Sequence, residues 1–130
     1  MRVLRLPSHP RSVALIENYV SHICKRYRLR AEQHGDILIS LTEAVTNAII
    51  HGNNKDESKH VQIRLSKNSN CLAFRVFDEG GGFDYNNLPD PTSPDNKTKC
   101  GGRGVYLMRC LCDQVEYSDN GRTVEMRFKI

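Results

Sequence analysis

The chain has 130 residues, of which 38% are hydrophobic and 26% charged, and a formal net charge of +4 at pH 7; that suits one compact domain, residues 1–130, and is too short for two. The modest basicity is spread along the chain except at Lys25, Arg26, Arg28 and Arg30, which argues against direct nucleic-acid binding. No stretch reaches membrane-spanning length, Met1 to Pro7 lacks a signal-peptide core, and the five cysteines (Cys24, Cys71, Cys100, Cys110 and Cys112) show no C-x-x-C spacing, as expected of reduced thiols in a cytoplasmic protein and not of a zinc site.

Val3, Leu4 and Leu6 predict a first strand closed by Pro7, after which Ser8 or Ser12 can cap a helix. Val13, Ile16, Val20, Ile23 and Tyr27 recur at helical spacing, and the cations from Lys25 to Arg30 suit that helix's C-terminus. A second helix is expected from Ala31 to Gly52, where a left-handed cap is easily adopted. The alternations Val61, Ile63, Leu65 and Leu72, Phe74, Val76 read as a hairpin turning at Asn68 to Asn70. Tyr85 to Cys100 holds Pro89, Pro91 and Pro94 without apolar periodicity, a loop of the length that is often functional. A short helix follows from Val105 to about Cys112, then strands Gln114 to Ser118 and Arg122 to Ile130 around Asn120-Gly121, a dipeptide favouring a two-residue hairpin turn. The order predicts an α+β, two-layer sandwich, its mixed and mostly antiparallel sheet covered by helices on one face.

The second helix carries the first chemical signal. At about 100° per residue, its apolar side chains cover most of the circumference, and Asp36, Ser40, Glu43, Asn47 and His51 fall within roughly 80°. A polar stripe on a helix that is otherwise apolar points to a cavity. Glu43 can accept a proton from an attacking hydroxyl, and the Asn47 carbonyl oxygen is a hard neutral ligand of the kind Mg²⁺ accepts. The second signal is Asp78-x-Gly80-x-Gly82 at a strand end: a carboxylate that can accept from an exocyclic amine, beside glycines that let backbone approach a planar ring. The third is Gly101-Gly102-Arg103-Gly104 ahead of Val105, free N–H groups at a helix start suited to phosphate. Each alone also fits an ordinary element: a solvated helix face, a strand-ending turn, a helix after a loop. Their order and combination point to a nucleotide.

The three runs together resemble the N, G1 and G2 boxes of the ATPase superfamily shared by gyrase, histidine kinases and mismatch-repair ATPases. Within it, the run Leu41-Thr42-Glu43-Ala44-Val45-Thr46-Asn47-Ala48-Ile49-Ile50-His51-Gly52-Asn53 is most similar to the anti-sigma factor serine kinases. The resemblance spans about residues 8 to 130. It implies the histidine kinase-like ATPase fold, ATP and Mg²⁺ as ligands, and two protein partners, a sigma factor and an antagonist whose serine is phosphorylated. Carried over by position, Glu43 would be the base, Asn47 the Mg²⁺ ligand and Asp78 the adenine reader. Asn47, His51, Gly80, Gly82, Gly102, Arg103, Gly104 and Val105 would contact the nucleotide, and Tyr85 to Cys100 would be the ATP lid. The family often dimerises. One departure stands out: such kinases carry an arginine in the first helix near the phosphates, and Ser12 to Cys24 contain none, Arg11 and Arg103 being the nearest. A nucleotide-gated binding module without kinase activity is the competing expectation.

Overall fold

Strand β1 (Arg2–Pro7) runs into a 3₁₀ turn at Pro10–Val13 and helix α1 (Ala14–Arg26), followed by helix α2 (Ala31–Asn47). Strands β2 (His60–Lys67), β3 (Cys71–Phe77), β4 (Gln114–Ser118) and β5 (Thr123–Lys129) complete the computed structural model, which describes residues 2–53, 56–80 and 111–130. The sheet order is β1-β2-β3-β5-β4. Every described pairing is antiparallel, so the sheet has none of its expected mixed character among the described residues. The two-layer α+β arrangement is as expected.

Register explains the one-sided core. Leu4, Ile63, Val76, Val124 and Tyr117 lie in one row across the five strands, and Leu65, Phe74, Met126 and Val115 in the next. Because side chains alternate along a strand, all of these share one face. Against that face pack Ile16, Val20 and Ile23 of α1 and Ile37, Leu41 and Val45 of α2, all fully buried. The Phe74 and Phe128 rings meet edge to face at 5.9 Å and 80°, the geometry the aromatic quadrupole favours. Truncating any of these large side chains to Ala would cost about 2–5 kcal/mol, so they fix the platform on which α2 lies. The opposite face is polar, with Glu125 held between Arg75 and Arg127 at 2.9 Å each.

Two local expectations are corrected. Neither Ser8 nor Ser12 caps a helix: Ser8 Oγ donates to the Lys59 carbonyl and Ser12 Oγ to that of Pro7, both at 2.8 Å. The cap is His9, whose Nδ1 accepts the Arg11 N–H at 3.0 Å. The last hairpin has no two-residue turn either. Ser118 pairs with Thr123, leaving a four-residue connection whose positive φ values fall on Asp119 (54°) and Gly121 (84°). The helix expected from Val105 lies almost wholly outside the described residues.

Candidate nucleotide site

Helix α2 stops being α-helical where the site begins. After Asn47 the backbone widens into a π turn, Ala48–Gly52, closed by a bond from the Asn53 N–H to the Ala48 carbonyl at 2.8 Å. Such turns recur at functional sites. The expected left-handed cap at Gly52 does not form, since positive φ among the described glycines occurs only at Gly121. What Gly52 supplies is clearance. A Cβ there would meet the Asp78 carboxylate, whose Cγ would be 2.5 Å away, and a Cβ on Gly80 would run into the Gly52 carbonyl. The turn after β3 and the end of α2 therefore touch backbone to backbone, which only glycine allows.

This contact brings Asn47 and Asp78 into one cleft. Its walls are Ala44 and Asn47 from α2, Ala48 from the π turn, Val76 from β3 and Asp78 just after it, and Tyr117, Gly121 and Val124 from the last hairpin. The open space is about 10 Å³, room for roughly one water. It is the floor for a ligand and not a chamber enclosing one. Asp78 is fixed from both sides of its peptide: its N–H donates to the Arg122 carbonyl at 2.9 Å, and its Oδ1 accepts the Gly80 N–H at 2.9 Å. Burial pushes its carboxyl above the usual carboxylate range, against the opposing pull of the Gly80 bond and of Arg122. A desolvated carboxylate with one oxygen engaged is poised to accept from a donor such as an exocyclic amine.

Asn47 tests whether a ligand fits. Its Nδ2 is buried and finds no hydrogen-bond partner among the described residues. Buried amides are normally satisfied, so an orphan needs a reason. A half-turn of the amide places Oδ1 at the same point, and the two are assigned from their partners alone. The donor set, a neutral amide oxygen on one wall and a carboxylate on the other, suits the metal end and the base end of a nucleotide.

The rest of the expected stripe does not share one surface. Ser40 is wholly buried and its Oγ accepts from Cys112 Sγ at 3.5 Å, the thiol being pushed up to about 11 by burial. Glu43 is half-buried one turn before Asn47 and does not line the cleft. His51 is exposed. His51 lies within the π turn and Ser40 is engaged by Cys112, so the even spacing of a regular helix does not hold along the stripe. Gly82, Gly102, Arg103, Gly104 and Val105, with the expected lid, lie outside the described residues.

The whole pattern matches a known family. Residues 6–128 fit the model of the histidine kinase-like ATPase domain. The serine-protein kinase RsbW of Bacillus pumilus (strain SAFR-032) is 33% identical over 132 residues, covering 95% of this chain and 82% of the relative. That of Bacillus subtilis (strain 168) is 30% identical over 130 residues, covering 95% and 81%. The chain belongs to the RsbW family of serine-protein kinases. Among solved structures, the histidine kinase domain of the blue-light activated histidine kinase of Erythrobacter litoralis EL346 superposes with a TM-score of 0.54 at 23% identity, over 95% of this chain and 60% of that one. This likeness concerns the fold. Two residues were missed by sequence reading: Tyr117, read only as part of the strand Gln114 to Ser118, and Asn53, which closes the run from Leu41 and was given no role of its own. Asn53 is 1% exposed and bonded on every side. No local signal marks it, since its side-chain partners Ser8, His60 and Glu79 come from separate segments.

Proposed function

We propose that this RsbW-family chain is an ATP-dependent protein kinase that binds a sigma factor and phosphorylates a serine on the antagonist of that complex, switching the sigma factor between partners. The observation that carries the reading is the unpartnered, buried Asn47 amide facing Asp78 across one cleft. In this reading Asp78 accepts from the adenine amine and Asn47 Oδ1 holds Mg²⁺, which when bound would screen the phosphate charge as the phosphoryl group moves. Glu43 takes the proton of the attacking serine hydroxyl. The serine oxygen then bonds to the γ-phosphorus as the bond from that phosphorus to the ADP oxygen breaks. In this reading Glu43, one helical turn before Asn47, acts from beside the cleft, which it does not line.

A second reading, a nucleotide-gated module that sequesters a partner without phosphorylating it, draws on α1. From Ala14 to Cys24 that helix carries no arginine or lysine, and Arg11 is an exposed residue ahead of it. Labelled γ-phosphate appearing on a partner serine decides between the two. Glu43→Gln sharpens the first: transfer is expected to fall about 10²-fold or more while Mg-ATP binding, read by calorimetry, is unchanged. Undiminished transfer would remove Glu43 as the base.

A further inference from the structure

Asn53 has its amide orientation dictated by its surroundings. Nδ2 donates one hydrogen to Ser8 Oγ at 2.7 Å and the other to the His60 carbonyl at 3.1 Å. Ser8 Oγ can only accept here, because its own hydrogen goes to the Lys59 carbonyl at 2.8 Å. Oδ1 is thus aimed the other way, where it accepts the Glu79 N–H at 2.8 Å. The main chain of Asn53 is tied as well, its N–H to Ala48 and its carbonyl to the Asp56 N–H at 3.0 Å.

The three consecutive N–H groups of the turn after β3 have three different destinations. That of Asp78 goes to Arg122 just before β5, that of Gly80 to the Asp78 carboxylate, and that of Glu79 to Asn53. Of these, the Glu79 bond is the one that joins the turn to the helix end carrying Asn47. We infer that Asn53 is a positioning residue for the nucleotide, acting on the base through the Asp78-Glu79-Gly80 turn and so setting the separation of the base-reading carboxylate from the Asn47 amide. The inference rests on the reading of Asp78 as the adenine acceptor. A residue that only stabilised the fold would weaken all nucleotides alike. One that aims Asp78 matters for those whose base offers Asp78 a donor.

The test is a binding cycle on the full chain with Mg-ATP and with the Mg complex of purine riboside triphosphate, which lacks the 6-amino group. Asn53→Ala is expected to raise the Kd for ATP about tenfold and that for the analogue by less than about twofold. In an Asp78→Asn background it should add almost nothing, since two groups acting in series are not additive. Equal losses for both nucleotides, or full additivity, would overturn the inference while leaving Asp78 in its role. If Asp78→Asn itself fails to change the ratio of ATP to analogue affinity, the adenine reading falls and the inference with it. Should Asn53→Ala show no cooperative melt, Asn53→Ser, whose hydroxyl is too short to span to the Glu79 N–H, is put through the same comparison. Independently of any nucleotide, amide exchange at Glu79 should be slow in the parent and faster in either variant, and fast exchange in the parent would overturn the assignment.

Discussion

Asn47 and Asn53 sit six residues apart at the end of one helix, within the same small region, and are opposites. Asn53 spends both side-chain hydrogens and one carbonyl lone pair on protein, whereas the buried Asn47 Nδ2 has no partner among the described residues. The saturated amide holds the frame, and in the proposed reading the unsatisfied one meets a ligand. The distinction follows from accounting of donors and acceptors, because a buried polar group without a partner costs about 1–3 kcal/mol and persists where function compensates.

The most damaging way to break the contrast is to push the two regions apart. Gly80→Ala would drive a methyl into the Gly52 carbonyl, and is expected to lower unfolding free energy by about 2–4 kcal/mol and abolish Mg-ATP binding, as read by denaturant melts and calorimetry. Next comes the pair itself. Asn53→Ala strands the Glu79 N–H, Ser8 and the His60 carbonyl and should cost about 2–3 kcal/mol. Asn47→Ala removes an orphan, so stability should change by less than about 1 kcal/mol although Mg-ATP binding is lost. Equal stability losses in the two variants would erase the comparison.

The smallest effect concerns Asp78, whose carboxyl is raised by burial. A raised folded-state value means the folded chain holds the proton more tightly than the unfolded one, so the ionised carboxylate costs stability at neutral pH and that cost vanishes below the unfolded value near 4. Asp78→Asn should therefore melt somewhat higher than the parent at pH 7 without nucleotide, the gap closing as pH falls toward 4. A gap that widened on acidification would contradict the burial of that carboxylate.

Much of the fold was legible because one periodicity governs each element. The alternations at Val61 to Leu65 and Leu72 to Val76 placed β2 and β3 within a residue or two, and the 3 and 4 spacing from Val13 to Tyr27 placed α1. Of the site, Asn47 and Asp78 were chosen from residue type and spacing, and the structure puts them in one cleft. Periodicity failed where the backbone departs from it. A helical wheel assumes about 3.6 residues per turn, so it could not foresee that the helix would widen into a π turn at Ala48–Gly52, which includes His51, nor that a thiol distant in sequence would engage Ser40. Asn53 was hidden for a related reason: its partners, Ser8, His60 and Glu79, come from three separate segments, and nothing local announces them.

The sheet order β1-β2-β3-β5-β4 carries a consequence for biosynthesis. The C-terminal-most of the described strands, Thr123–Lys129, is an interior strand that joins β3 to β4 and contributes Val124, Met126 and Phe128 to the core. During translation, a nascent chain that has emerged only as far as residue 122 has β3 with a bare edge and Asp78 without the Arg122 segment fully anchored. Non-local pairing of this kind is slow to form and leaves strand edges open meanwhile. Completion of the cleft therefore waits for β5 to emerge, and a ribosome stalled before it would display an unfinished sheet with an open edge.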